Sequence, residues 1–278
     1  MIETPETPNA IEPKSPAPHF QVKRLVRPKV IAYGGGTNST ALLVGLHERK
    51  ERPDYIVFAD TGGEKPWTYD YLGIIDDWCK KVGFPRLTIV KGCYPRQILD
   101  GTLENELLRL GCLPAKALGY GTCSEKWKIA PQNKWAKNMG FDEPEKMIGF
   151  DFGEPDRAEK AKAEKGWIKT FPLMRWFWGR AECVAAIARA GLPQPGKSAC
   201  FFCPSSSKAE ILALPEELQE RALEIERRAM TADFGPTYTN VKGLGRQFAW
   251  AELIDYHRRQ LPLFGFADPP PMECNCYD

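Results

Sequence analysis

The stretch Tyr33-Gly34-Gly35-Gly36-Thr37-Asn38-Ser39-Thr40 constrains this chain more than any other. Before it, Lys29-Val30-Ile31-Ala32-Tyr33 is a β-branched and aromatic run that predicts a buried strand. After it, Ala41-Leu42-Leu43-Val44-Gly45-Leu46-His47 predicts a helix with Asn38 or Ser39 near its N-cap. Strand, three glycines, small hydroxyl residues and helix, in that order, make an anion site. Backbone without Cβ atoms can approach a phosphate closely, and a helix start offers N–H groups that have no partner inside the helix. The residues expected to hold the phosphate end of a nucleotide are Tyr33, Gly34, Gly35, Gly36, Thr37, Asn38 and Ser39.

The loop lacks G-x-x-x-x-G-K-[ST] and has no third glycine at the spacing of G-x-G-x-x-G, which excludes the two commonest phosphate loops. It resembles instead the S-G-G-x-D-S loop of the PP-loop ATP pyrophosphatases and their relatives, the phosphoadenylylsulfate (PAPS) reductases. Gly35, Gly36 and Ser39 match that pattern, while Gly34 replaces its first serine and Asn38 its aspartate. The resemblance implies an adenosine nucleotide as ligand, either ATP or PAPS/APS, with magnesium as a candidate companion ion. It also implies a doubly wound α/β fold of the adenine nucleotide α-hydrolase type. The departures bear on ATP cleavage more than on nucleotide binding.

A second strand, Tyr55-Ile56-Val57-Phe58-Ala59-Asp60, runs into Thr61-Gly62-Gly63-Glu64-Lys65-Pro66-Trp67-Thr68. An aspartate at the carboxyl end of a parallel strand lies where such sheets bind ligands, and Pro66 suits the first turn of a helix. The segment resembles the D-T-G-x-x-x-P-x-T element of PAPS reductase relatives, which places Asp60, Thr61 and Gly62 near the nucleotide. Leu87 to Val90 is a third strand, Met147 to Asp151 a fourth and Trp167 to Leu173 a fifth, giving a five-stranded parallel sheet. Glu154 and Arg157 after the fourth strand resemble the family's D-E-x-x-R, so Arg157 joins the nucleotide-binding set. Cys123-Ser124-Glu125-Lys126-Trp127-Lys128-Ile129-Ala130-Pro131 resembles its C-[ST]-x-x-x-K-I-x-P element, whose lysine, here Lys128, approaches the ligand. Read by itself, Lys128 could equally be a solvated surface charge.

Nine cysteines in a chain without a signal-type apolar segment point to metal or redox chemistry and a reducing cytoplasm rather than to a disulfide framework. Cys200-Phe201-Phe202-Cys203 puts two thiolates within reach of one metal, and the other seven cysteines favour a four-ligand site. The run from Trp178 through Cys183 to Pro204 resembles the W-x-R-x-x-C … K-S-x-C-x-F-C-P element of bacterial and phage PAPS-reductase-like proteins. That resemblance implies Cys123, Cys183, Cys200 and Cys203 as ligands of a [4Fe–4S] cluster, with zinc as the alternative and Cys112 in reserve. Cys79 and Cys93 read as buried thiols. Glu273-Cys274 resembles the first half of the E-C-G-[LI]-H element that carries the PAPS reductase nucleophile, which makes Cys274 and Lys128 the catalytic candidates.

Three regions are expected: a proline-rich arm over 1–27, a nucleotide-binding α/β domain over 28–175, and an α-rich cysteine region over 176–278. A net charge of +2 creates no strong field, so charge does not indicate a nucleic-acid partner, although one is compatible with it. No apolar run approaches the ~20 residues that span a bilayer. The resemblance implies an adenosine-nucleotide-dependent enzyme of sulfur metabolism, served by a thiol reductant protein if it reduces a sulfonucleotide. The alternatives are ATP-dependent adenylation and thiolation of a nucleic-acid or small-molecule substrate, and a nucleotide-binding module without turnover.

Overall fold

A computed structural model describes residues 27–92, 101–162, 165–231, 238 and 240–260. Its centre is a sheet of β1 (Lys29–Tyr33), β2 (Tyr55–Asp60), β3 (Leu87–Lys91), β4 (Glu145–Ile148) and β5 (Ile168–Thr170), ordered β3-β2-β1-β4-β5. Every pairing is parallel, with Ile31 opposite Ile56 on one side and Met147 on the other. The five-stranded doubly wound parallel sheet is therefore the observed fold class.

Both faces of the central strands are buried, which is why they read as continuous apolar runs. Ile31, Tyr33, Ile56 and Phe58 face α1 (Thr37–Glu48) and α2 (Pro66–Lys81) in the first core. Val30 and Val57 point the opposite way, into a smaller core with Ala136 and Trp167. The first two crossovers move from β1 outward to β3 and carry their helices on one face. The chain then returns across the sheet to β4, which forces its connection onto the other face if the crossover is right-handed. That connection holds α3 (Leu103–Leu110), a 3₁₀ turn (Ala115–Leu118), and α4 (Thr122–Ser124), which passes through a wide turn (Glu125–Ile129) into α5 (Ala130–Asn138). Thr102 caps α3 by accepting from Asn105 N at 3.2 Å, and Gly111 ends it in the left-handed region at φ 56°.

After β4 come α6 (Pro155–Lys162), and after β5 α7 (Pro172–Arg175), α8 (Arg180–Arg189), α9 (Lys208–Leu212), α10 (Glu216–Met230) and α11 (Trp250–Gln260). A large second core gathers Leu103, Leu107 and Trp127 with Phe201, Phe202 and the buried faces of the last three helices. Leu173, Cys183, Ala186 and Ile187 pack in the first, while α3 and Trp127 belong to the second. No helix among the described residues is long and apolar enough to cross a membrane. The arm over 1–26 and the tail from 261, with Cys274, lie outside the described residues, as does Cys93.

The functional consequence is the switch point. The chain leaves β1 toward β2 on one side and comes back at β4 on the other, so the connections diverge at the carboxyl ends of β1 and β4 and leave a crevice there.

Candidate functional site

The glycine loop occupies that crevice. Gly36, not Asn38 or Ser39, is the N-cap of α1, because it takes the extended conformation (φ −109°, ψ 179°) and helix begins at Thr37. The first intrahelical bond is Thr40 N to Gly36 O at 3.1 Å, so the N–H groups of Thr37, Asn38 and Ser39 precede the helical ladder. Gly35 has φ +76°, and a Cβ there would stand 2.9 Å from Thr68 Cγ2, so both its conformation and its surroundings require glycine. Ser39 Oγ donates to Gly36 O at 3.0 Å, which braces the turn. Tyr33 departs from expectation. It is 2% exposed, shares a 3.1 Å hydrogen bond with Thr40 Oγ1, and burial drives its phenol pKa far up. It supports the loop from below and faces the core, not a ligand.

On the β4 side, Asn38 Nδ2 donates to Asp151 Oδ2 and to Glu154 Oε2, each at 3.1 Å. Asn38 Oδ1 is buried without a partner. Arg157 pairs with Glu154 and lays its guanidinium 4.6 Å from the Phe150 ring centroid. It therefore reaches the loop through Glu154 and Asn38. Gly149 closes this edge: a Cβ there would meet Asn38 C and O at 2.9 Å and Ser39 Cα at 3.0 Å.

On the β2 side, Asp60 stands at the carboxyl edge of the sheet as expected, but its carboxylate is engaged. Oδ1 accepts from Gly62 N and Tyr69 Oη, both at 2.8 Å, and Oδ2 lies 3.6 Å from Lys91 Nζ. Gly62 has φ +70°, with no room for a Cβ against Thr102. Thr61 Oγ1 lies 3.4 Å from Cys200 Sγ and 3.5 Å from Glu64 Oε1. Lys128 Nζ donates to Glu64 Oε1 at 2.8 Å, across to a carboxylate whose side chain is 0% exposed. Burial works to lower the Lys128 pKa, but the Glu64 carboxylate, helped by Cys200, outweighs it and holds the ammonium above the usual lysine range. The same burial, followed by the charge of Glu64, pushes the Cys200 thiol up to about 12. Beside this cluster opens a cleft of ≈ 270 Å³ lined by Gly62, Glu64, Tyr69, Phe201 and Arg221 among others.

The cysteine segment is laid directly over both tips. Phe201 N donates to Gly63 O at 2.9 Å and Lys65 N to Ala199 O at 3.3 Å, forming a bridge between Glu64 and Cys200. Trp67 Nε1 donates to Lys197 O at 3.4 Å. Ser198 sits against the glycine loop, its Oγ 3.0 Å from where a Cβ on Gly36 would stand. Cys200 and Cys203 belong to one tight turn, with Cys203 N to Cys200 O at 3.0 Å.

The four cysteines expected at one metal are not gathered. Cys183 is 0% exposed in the first core, where burial and the charge of Asp151 push its thiol up to about 12. It faces inward because it shares the buried stripe of α8 with Ala186 and Ile187. Burial, then the charge of Glu106, raises the Cys112 thiol pKa against the opposing charge of Lys126. Among the described residues no three His, Cys, Asp or Glu side chains stand where one metal ion could bind them. As placed, the residues do not fit a four-cysteine [4Fe–4S] or zinc site. Cys79 is the buried core thiol expected of it.

Glu64, Thr68, Asp151 and Ser198 also stand at this candidate site, and the sequence did not single them out. Thr68 closes the D-T-G-x-x-x-P-x-T element, and Ser198 stands in K-S-x-C, so each had a signal. Glu64 and Asp151 declare themselves only through their partners in space.

No protein-family model matches the chain, and no curated protein matches it. Among solved structures, the U34-tRNA thiolase NcsA from Methanococcus maripaludis, with its [4Fe-4S] cluster, is similar at 17% identity and a TM-score of 0.44. The match covers 91% of this chain and 76% of that one. Likeness of that degree does not bear on activity.

Proposed function

We propose that this chain is an adenosine-nucleotide-dependent enzyme of sulfur transfer, in which ATP activates an acceptor oxygen that sulfur then replaces. One observation carries the reading. The Cys-x-x-Cys segment is seated on the glycine loop and along Gly63 to Lys65, which supports a site where a thiol and a phosphate would meet. In the first step an acceptor carbonyl or hydroxyl oxygen attacks the α-phosphorus of ATP and pyrophosphate leaves. In the second, the sulfur of hydrosulfide attacks the activated carbon and loses its proton, and AMP departs with the oxygen. The backbone N–H groups from Gly35 to Ser39 would hold phosphate oxygens, and magnesium would accompany the triphosphate as part of the substrate. Lys128, fixed by Glu64, would supply a positive charge at the thiol side of the crevice.

Reduction of PAPS or APS remains the competing chemistry, with Cys274 as its nucleophile and a thiol protein as reductant. The deciding experiment gives the full chain ATP with nucleic-acid and small-molecule acceptor fractions, and separately gives it PAPS or APS with a dithiol. AMP and pyrophosphate release supports thiolation, and sulfite release supports reduction. Tight ATP binding with neither product makes the chain a nucleotide-binding module.

A further inference from the structure

The Ser198 hydroxyl and the Thr68 methyl group, from different parts of the chain, meet at the glycine loop. Ser198 Oγ lies 3.0 Å from the Cβ position of Gly36, and Ser198 Cβ lies 3.7 Å from that of Gly35. Thr68, 1% exposed, packs its Cγ2 2.9 Å from the Cβ position of Gly35, and its Oγ1 is buried without a hydrogen-bond partner. A buried hydroxyl without a partner costs about 1–3 kcal/mol, so it marks a place where something else completes the bond. The glycines explain the approach, since a methyl group on either one would push these side chains off the loop. Neither hydroxyl is needed to hold the segment down. Backbone bonds at Lys65 and Phe201, and the Trp67 indole, already do that.

We propose that Ser198 is a phosphate ligand of the bound nucleotide, with Thr68 beside it, so that the segment carrying Cys200 and Cys203 closes on nucleotide. This deepens the reading above and rests on it. The loop N–H groups grip the anion from the side of α1, and the Ser198 hydroxyl donates to a phosphate oxygen from the opposite wall. Ser198 is two residues from Cys200 and bonded in sequence to Ala199, whose carbonyl is tied to Lys65. An anion that fixes Ser198 therefore also fixes the thiol turn relative to the tip of β2. Nucleotide occupancy would be read directly at the sulfur-handling residues, with no separate switch element.

The test uses the full chain and three ligands: ATP, AMP and adenosine. Affinities are measured by calorimetry for the wild type, Ser198→Ala and Ser198→Thr. Amide exchange is followed in the peptide covering 196–203. A hydrogen bond to a charged group is worth about 1.5–3 kcal/mol, so Ser198→Ala should weaken ATP by roughly 10- to 100-fold. Adenosine should bind both proteins alike, and Ser198→Thr should restore most of the ATP affinity. ATP should slow exchange over 196–203 in the wild type and much less in Ser198→Ala. Equal ATP affinity in wild type and Ser198→Ala would overturn the proposal while leaving the nucleotide reading intact. Equal losses for ATP and adenosine would overturn it too, because they signal a general disturbance. A wild type that binds no adenosine nucleotide removes both readings together.

Discussion

Gly149→Ala tests whether the crevice is built by close backbone contact. The added methyl carbon would stand 2.9 Å from the carbonyl carbon and oxygen of Asn38 and 3.0 Å from Ser39 Cα. Carbon atoms rest about 3.5–4.0 Å apart, so the first turn of α1 must retreat by about half an ångström or more. No side-chain rotation can absorb this, because all three atoms are backbone. The turn is anchored below by Leu42 and Leu43, both 0% exposed. Overpacking of this kind costs about 1–3 kcal/mol, with the upper half of that range expected here. For a chain of this size a loss of about 2 kcal/mol lowers Tm by roughly 4–8 °C. Gly73→Ala supplies the control. Gly73 lies in α2 with nothing within 4 Å of its Cβ position, so the same methyl group should raise stability by about 0.5–1 kcal/mol. Urea unfolding gives both values, and under the proposed nucleotide reading calorimetry with ATP would show the displaced loop as lost affinity. If Gly149→Ala falls within 0.5 kcal/mol of the wild type and keeps its ATP affinity, the reasoning fails.

Two further outcomes rest on buried polar groups. Cys79 and Cys183 are both 0% exposed, and burial pushes each thiol from 9.0 up to about 12. Their folded pKa values are raised, so the stability they contribute is full below about pH 9 and is lost as pH rises toward 12, by up to about 4 kcal/mol each. Cys183→Ala should flatten the alkaline limb of an unfolding-versus-pH curve, and should leave any bound metal unchanged by elemental analysis. Glu226, 4% exposed, accepts from Leu244 N at 2.6 Å and from Trp250 N and Ala251 N at 2.9 Å, joining α10 to the start of α11. Glu226→Gln turns an amide donor toward those N–H groups and should cost about 1–3 kcal/mol in urea unfolding.

The central strands were legible because parallel strands buried on both faces write themselves as apolar runs. β1 and β2 have the bounds that the sequence predicts, Lys29–Tyr33 and Tyr55–Asp60. β4 runs Glu145–Ile148 where Met147 to Asp151 was expected. Lys146 disguised its start, being 3% exposed with its ammonium 4.8 Å from the Trp167 ring centroid. Its end was hidden because the chain leaves the sheet at Gly149, where it meets α1. Pro215, which lacks an N–H, separates α9 from α10. The glycine turn between β1 and α1 was legible since its conformation is local. Which cysteines come together was not, because that depends on packing between distant segments. Helical spacing with Ala186 and Ile187 was the signal that Cys183 belonged to a core.

Asn38 stands where the PP-loop pattern that this loop resembles has an aspartate, and its amide is matched to two carboxylates. The PP-loop pattern has an aspartate at this position, and restoring it by Asn38→Asp looks like a repair. The structure predicts the reverse. Asn38 Nδ2 stands 3.1 Å from both Asp151 Oδ2 and Glu154 Oε2, and the amide is the donor that lets two carboxylates share the crevice. Aspartate would remove that donor and add a third negative charge at about the same separation. At an effective dielectric of about 20, each like-charge contact near 4 Å opposes folding by about 4 kcal/mol before the groups relax. Arg157, already paired with Glu154, offsets part of one contact. The variant should therefore be less stable than the wild type at pH 7. Urea unfolding of wild type and Asn38→Asp at pH 7 measures this, with an expected gap of at least about 2 kcal/mol. An Asn38→Asp protein as stable as wild type at pH 7 would mean that Asp151 and Glu154 do not depend on the amide, and that the asparagine is incidental to the crevice.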